Sequence, residues 1–159
     1  MPYTLSTTII GAKELADTFS KARPVVVKEL SAAIMKTAYK VEAKAKGHAP
    51  IDKGGLRSSI HIQGPHVTSD NVEASVGTDL KYALYQEKGT GVYAGKGKIF
   101  HKQAKILAWK KGGKFIFAKA VRGTWGKFYM NKARQESRPI LDQYMNEVIS
   151  SITAYLAKR

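Results

Sequence analysis

A glycine- and lysine-rich run, Gly89–Lys98, is the stretch of this sequence closest in pattern to a phosphate-binding loop. In a P-loop, a glycine opens the run and the Ser or Thr after the lysine binds the nucleotide's metal ion. Here Thr90 occupies the first glycine position and Gly97 replaces the metal-binding hydroxyl residue. A dinucleotide-binding fingerprint is also excluded, because the run follows a helix-like segment instead of a strand. The run is therefore predicted to be a flexible loop that binds no nucleotide cofactor.

The residue types that usually carry catalysis or bind metals are scattered along this chain. It has no cysteine, which excludes thiolate metal sites and cysteine nucleophiles. No two histidines have the i, i+4 spacing of a zinc-binding helix, and Ser58 and Ser59 lack the strand–turn–helix context of a hydrolase nucleophile. The histidines are His48, His61, His66 and His101. We therefore predict no metal site, no cofactor and no enzyme activity.

Positive charge is the strongest compositional signal. The 159 residues include 27 Lys and Arg against 12 Asp and Glu, a formal net charge of +15. Between Val92 and Arg138 the only acidic residue is Glu136, so most of the excess lies in one segment. Such an excess implies an anionic partner, with nucleic acid first, an acidic protein surface second and an anionic membrane third. The lysines that we expect to face DNA are Lys96, Lys98, Lys110, Lys111 and Lys114.

Length and hydropathy indicate one soluble domain. A chain of 159 residues is about one domain in size, and 43% hydrophobic residues is ordinary for a globular protein. The first residues lack a basic region followed by an apolar one, and no run approaches the length of a membrane span. We therefore expect a single domain, 1–159, made in a cytoplasm, with a basic flexible loop and β-hairpin inserted at 92–126.

Helical periodicity dominates the first third of the chain. The β-branched run Thr4–Ile10 predicts an edge strand, and Ala12–Ala22 predicts a short helix. Pro24 then suits the first turn of a longer helix, because the N–H that proline lacks would be unpaired there. Apolar residues recur at every third or fourth position until Gly47, which ends this helix.

A second long helix is predicted at the other end. Ser137 and Pro139 mark its start, with one preceding helical turn at Asn131–Glu136 and a kink at the proline. Its apolar stripe consists of Leu141, Tyr144, Met145, Val148, Ile149, Ile152, Tyr155 and Leu156.

Strands are predicted between the helices. Ile60–Val67 and Val72–Thr78 alternate apolar and polar residues, as strands with one buried face do. We therefore predict an α+β fold in which a long N-terminal helix and a C-terminal helix pack on a small antiparallel β-sheet.

A basic β-hairpin is predicted within the insertion. Lys105–Lys111 and Lys114–Val121 flank Gly112-Gly113, a strong two-residue turn signal. That register sets Trp109 opposite Ile116 and Ala108 opposite Phe117, so apolar side chains occur on both faces. One face then packs either on its own domain, with lysines wetting the other, or against a neighbouring subunit.

The order of several short motifs resembles one family, the small neck proteins of long-tailed double-stranded DNA phages, known as head-tail connector, tail completion or minor tail proteins. That family has a long helix, a Gly-x-Leu-x-x-Ser-Ile segment, a strand pair ending near Val-Gly-Thr, a Tyr-Ala-x-x-x-Glu-x-Gly-Thr segment and a last helix. The matching pieces here are Lys53–Ile60, Val76–Thr78, Tyr82–Thr90 and Phe128–Ala133. The long basic insertion has no counterpart from which a role can be carried over.

The resemblance implies a structural virion protein of the head-tail junction, assembled in the host cytoplasm. Identical subunits would form a homo-oligomeric ring in the virion and be monomeric when free. The ring would contact a portal-side adaptor or head completion protein, a tail terminator or tail tube protein, and packaged double-stranded DNA in its channel, without a membrane. We predict subunit or partner contacts at Asp52, Gly54, Leu56, Arg57, Tyr85, Glu87, Thr90, Trp109 and Phe117.

Two other function classes stay open. The first is a sequence-independent DNA-binding protein, in which lysines of the insertion neutralise phosphates and its aromatic residues stack on bases. The second is an enzyme acting on a polyanion, which is weakened by the absence of an acid–base pair. Such an enzyme would depend on Asp52, Asp70, Asp79 and Glu87.

Overall fold

The computed structural model describes residues 12–69, 71–102 and 105–158, with side chains from Ser20 onward. Its elements are α1 (Ala12–His48), α2 (Gly55–Ser59), β1 (His61–Val67), β2 (Val72–Gly77), α3 (Ala83–Lys88), a 3₁₀ turn (Gly91–Ala94), β3 (Ile99–Phe100), β4 (Leu107–Lys111), β5 (Lys114–Ala118), β6 (Ala120–Val121) and α4 (Tyr129–Ala157). The α+β class predicted from the sequence is confirmed, with a long helix towards each end. The predicted strand at Thr4–Ile10 lies outside the described residues.

The first helix is longer than predicted. α1 is continuous over 37 residues and contains Pro24 in its interior, so the predicted start of a separate helix at Pro24 is wrong. Proline removes one backbone hydrogen bond from the ladder. Ending and restarting the helix would instead leave a whole turn of carbonyls and a whole turn of amides without intrahelical partners. One missing bond is the smaller loss.

The last helix begins earlier than predicted. α4 starts at Tyr129 instead of near Ser137, and it contains Pro139 in its interior. The residue before it, Phe128, has a φ of 53°, which turns the chain sharply into the helix. Most of the predicted apolar stripe is buried or half-buried, whereas Ile149 is 60% exposed.

The strands form three separate two-stranded sheets, β1–β2, β3–β6 and β4–β5, instead of one small sheet. In the antiparallel β4–β5 hairpin, Trp109 lies opposite Ile116 and Ala108 opposite Phe117. These are the pairs that the sequence predicts. The predicted strand Lys114–Val121 is nevertheless split, because its last residues form β6 and pair with β3.

The described residues divide into two compact units, and the first of them comprises Ala38–Gln63 and Ser75–Arg138. We call it the motif unit. Its core contains the end of α1, the start of α4 and both short helices. The buried residues of this core are Ala45, Ala49, Leu56, Ile60, Ala83, Tyr129 and Ala133.

The second unit comprises the described parts of Met1–Thr37, Gly64–Ala74 and Pro139–Arg159. Its buried side chains are Ala22, Ala33 and Val148. The Lys36 ammonium lies 5.6 Å from the centre of the Tyr144 ring, a distance at which the cation and the ring face attract each other. The expectation that 1–159 forms a single domain stays a prediction.

Candidate interaction surfaces

The glycine-rich loop after α1 folds into the core of the motif unit. Gly54 has a φ of 80°, a left-handed conformation that favours glycine, and α2 begins immediately after it. Leu56 and Ile60 are then only 4% and 1% exposed. Among the predicted contact residues of this loop, Leu56 is therefore a core residue in the single chain, whereas Asp52 and Arg57 are exposed.

The two serines of this loop make turn contacts. Ser58 Oγ donates a hydrogen bond to the Gly55 carbonyl oxygen at 3.1 Å. Ser59 Oγ lies 2.8 Å from the Leu56 carbonyl oxygen and 2.6 Å from Thr78 Oγ1. The last contact joins the glycine-rich loop to the end of β2, so these hydroxyl groups serve the packing of neighbouring motifs.

The short helix α3 is buried along one side only. Ala83 is 6% exposed and belongs to the core, whereas Leu84 and Tyr85 are 56% and 55% exposed. Tyr82, immediately before the helix, is 45% exposed. The predicted contact residue Tyr85 is thus accessible, next to other uncovered apolar side chains.

The carboxylate of Glu87 caps the N-terminus of α4. Its two oxygens accept hydrogen bonds from the backbone N–H groups of Met130 at 2.9 Å and Asn131 at 3.0 Å. The first amides of a helix lack intrahelical acceptors, and negative charge is favourable at that end. Glu87, predicted to make a partner contact, is thus already hydrogen-bonded within its own chain.

Tyr129, the first residue of α4, is the largest fully buried side chain of the motif unit. It is 1% exposed. Burial raises the pKa of its phenol above the ordinary value, and the nearby Glu87 and Tyr82 raise this pKa further.

Thr90 lies in a segment that pairs with a distant part of the chain. The Thr90 N–H donates to the Thr124 carbonyl oxygen at 2.9 Å, and the Thr124 N–H donates to Thr90 Oγ1 at 2.9 Å. Further backbone bonds join residues 86–92 to residues 122–128. We call these two paired segments the base clamp, because they hold together the two ends of the insertion.

Glycine makes the close approach in the base clamp possible. A Cβ atom at Gly126 would lie 2.5 Å from the Glu87 carbonyl oxygen, and one at Gly123 would overlap the Thr90 carbonyl group. Both positions are therefore restricted to glycine unless the backbone moves. This pairing was not predicted from the sequence, although the two Gly-Thr steps, at Thr90 and Thr124, are a visible signal.

The β4–β5 hairpin carries exposed aromatic side chains. Trp109 is 38% exposed, and Phe115 and Phe117 are 68% and 61% exposed. Of the predicted contact residues, Trp109 and Phe117 thus lie on opposite faces of the hairpin, since their positions alternate in the pairing. Burial of one face against a neighbouring subunit stays a prediction.

The five lysines expected to face DNA are all exposed: Lys96, Lys98, Lys110, Lys111 and Lys114. Within the described part of the chain, none of them has a carboxylate oxygen within 4 Å. Lys111 and Lys114 are also cross-strand partners, which concentrates positive charge at the tip of the hairpin.

The only acid of the basic segment, Glu136, is engaged with the end of α1. Its Oε1 lies 2.9 Å from His48 Nε2 and its Oε2 lies 3.4 Å from Lys44 Nζ. Desolvation opposes ionisation, but the hydrogen bond to His48 and the charges of His48 and Lys44 outweigh it, so the pKa of Glu136 is lowered. This contact joins α1 to α4 inside the motif unit.

Among the described residues, no three His, Asp or Glu side chains are grouped so that they could hold a metal ion. In the same part of the chain, no helix is both long and apolar enough to cross a membrane.

Comparison with known proteins adds the family. Residues 13–89 match the family model described as "Bacteriophage HK97-gp10, putative tail-component". No curated protein and no solved structure shows significant similarity to the chain. The matched segment runs from α1 to the end of α3, so it includes the glycine-rich loop, the first strand pair and the capping residue Glu87. The segment 13–89 is therefore similar to the HK97-gp10-like family of phage tail components.

Proposed function

We propose that this protein is a structural component of the virion of a tailed double-stranded DNA phage or prophage. It forms a ring of identical subunits at the head-tail junction. The observation that carries the proposal is the family match over residues 13–89, because five of the seven buried core residues of the motif unit lie in that segment. The matched sequence thus supplies most of this core.

Uncovered apolar side chains support an assembly role. Tyr85 on α3 is 55% exposed, and Phe117 and Phe115 of the hairpin are 61% and 68% exposed. Isolated soluble domains rarely expose many large apolar groups close together, whereas subunits of an assembly cover them with neighbours. A head-to-tail contact between identical subunits closes into a ring when the rotation permits.

The partners follow from the position in the virion. A portal-side adaptor or head completion protein would lie on one side of the ring, and a tail terminator or tail tube protein on the other. Exposed Asp52 and Arg57, and the hairpin residues Trp109 and Phe117, are the contact residues that we propose. Leu56, Glu87 and Thr90 would act indirectly, because their side chains are buried or hydrogen-bonded inside the subunit.

No catalytic step is part of this proposal. The matched family is described as a tail component, and the hydroxyl groups of Ser58 and Ser59 make turn contacts.

The test is quantitative mass spectrometry of purified, DNA-filled particles from the source phage or induced prophage. A copy number of about six to twelve per particle is expected for a ring. Particles from a deletion strain complemented in trans serve as the control for contamination. Absence of the chain from infectious particles would refute the proposal.

A second candidate function is sequence-independent DNA binding. The exposed lysines that have no carboxylate nearby favour it. The affinity for duplex DNA would then fall steeply with salt. In a plot of the logarithm of the binding constant against the logarithm of the salt concentration, the slope is roughly −1 for each phosphate contacted. A variant with Lys110, Lys111 and Lys114 changed to Gln should lower that slope, whereas an unchanged slope would exclude the hairpin as the DNA-binding surface.

A further inference from the structure

One face of the β4–β5 hairpin combines aromatic rings with a lysine. Cross-strand partners share a face, so the pairs Ala108–Phe117 and Lys110–Phe115 lie on one side of the hairpin. We call these four residues the Phe face. The rings of Phe115 and Phe117 are 6.3 Å apart between centroids and only 23° from parallel. Both are more than 60% exposed, so their planar surfaces are open to a ligand.

The charge around the Phe face selects among possible ligands. Lys110 lies on this face, and the Lys111–Lys114 pair lies at the hairpin tip in register with the opposite face. No acidic residue occurs between Val92 and Gln135. A second copy docked through the same face would bring lysine against lysine, which is repulsive. The complementary ligand is therefore one that offers flat apolar surfaces together with closely spaced negative charges.

Unpaired nucleic acid has that combination. Its bases have free π-faces that stack on aromatic side chains irrespective of sequence, and its phosphates attract lysines. In a duplex the base faces are already stacked on one another, so only an unpaired strand offers both. Exposed aromatic residues two positions apart on a sheet surface are also how several sheet-based RNA-binding modules hold bases. Phe115 and Phe117 have this spacing on β5.

We propose that the Phe face is a binding site for unpaired nucleic acid without sequence selectivity. Bases stack on Phe115 and Phe117, and Lys110 on the same face neutralises phosphates. Lys111 and Lys114 at the hairpin tip add to the positive charge that attracts the strand. This goes beyond the proposed assembly role and does not depend on it.

The experiment measures fluorescence anisotropy of the full chain with a labelled oligo-dT of about 20 nucleotides and a duplex of equal length, at about 50 mM salt. Wild type is expected to prefer the single strand by about tenfold or more. The F115L/F117L variant keeps apolar volume but removes the rings, and it should lose that preference. The F115Y/F117Y variant should retain it, because tyrosine stacks as phenylalanine does. A Phe100→Leu variant is the matched control, since Phe100 is a comparably exposed aromatic residue of the same insertion at 64%.

Three results would overturn the proposal. One is no measurable binding of oligo-dT by the wild type. Another is equal affinity for the duplex and the single strand, which would mean that only phosphates are recognised. The third is unchanged oligo-dT binding by F115L/F117L. That result would mean that the rings do not bind bases and that the Phe face contacts a protein neighbour instead. Virion copy number of a Phe115→Leu variant separates the two proposals, because Phe115 is not among the proposed contact residues. Loss of oligo-dT binding with normal incorporation supports this proposal and leaves assembly intact.

Discussion

Glu87 and Met130 are 43 residues apart in the sequence, and the Glu87 Oε2 atom accepts a hydrogen bond of 2.9 Å from the Met130 backbone N–H. This bond links the family-matched segment to the first turn of α4. The Glu87 carbonyl oxygen also accepts a hydrogen bond of 3.1 Å from the Phe128 N–H, so one residue holds both the approach to α4 and its first turn.

Replacing Glu87 should destabilise the fold. Glu87→Ala leaves two amides of the first turn of α4 without their acceptor, and loss of an N-terminal cap costs about 1–2 kcal/mol. Glu87→Gln should lose less, because its amide oxygen can still accept one bond. Urea unfolding measures the change. The matched control is Glu147→Ala, an exposed carboxylate further along α4; equal effects at both positions would contradict the capping role.

Gly123→Ala should destabilise the base clamp more than positive φ alone explains. A Cβ atom there overlaps the Thr90 carbonyl group, and the residue has a φ of 92°. Gly97 has a φ of 75° with open space around its Cβ position, so Gly97→Ala is the control for conformational strain. We expect about 1 kcal/mol for the control and about 3 kcal/mol or more for Gly123→Ala in urea unfolding. Equal losses would show that the clamp can move apart without penalty.

Glu136 should make stability depend on acid pH. Its pKa is lowered in the folded chain below the ordinary value of 4.5. The resulting stabilisation is complete above that value and is lost as pH falls through the folded pKa. The urea midpoint of wild type should therefore exceed that of Glu136→Gln at about pH 5, and the difference should shrink as the pH falls below 4.5. Glu147→Gln provides the control, and a gap that stays constant over this range would argue against the contact with His48 and Lys44.

Tyr129 should ionise later than an ordinary tyrosine. Its pKa is raised from 10.0, first by burial. Because the unfolded phenol ionises first, stability should fall as pH rises above that value. A titration of tyrosinate absorbance should show a late component that is missing from Tyr129→Phe. Tyr39→Phe changes a tyrosine that is 59% exposed and should leave the late component in place. If Tyr39→Phe removed that component, the late-ionising phenol would be Tyr39 instead of Tyr129.

Tyr85→Asp should separate assembly from folding. The side chain is 55% exposed on α3, so the substitution should change the free energy of unfolding by less than about 1 kcal/mol. A charge in a covered interface is costly, so the copy number per purified particle should fall. Tyr39→Asp, at 59% exposure on α1, is the matched control. Normal incorporation of Tyr85→Asp would remove α3 from the proposed ring contact.

Local signals were sufficient for a large part of the fold. Apolar spacing predicted long helices towards both ends, and Gly112-Gly113 predicted the pairing of Trp109 with Ile116. Each of these features depends on residues a few positions apart, because helical and hairpin periodicities are short-range properties of the backbone. The order of motifs, also a sequence property, was sufficient to recognise the tail-component family.

The tertiary structure alone decided what several predicted contact residues do. A glutamate and a threonine in a glycine-rich segment look equally polar in sequence. Only the path of the chain brings Glu87 to the start of α4 and Thr90 against Thr124. The same holds for the helix boundaries, since α4 begins where a distant carboxylate caps it and α1 continues through Pro24. Sequence alone determined the periodic elements and the similarity to the tail-component family. Hydrogen bonds between residues more than 30 positions apart depend on packing that no local pattern encodes.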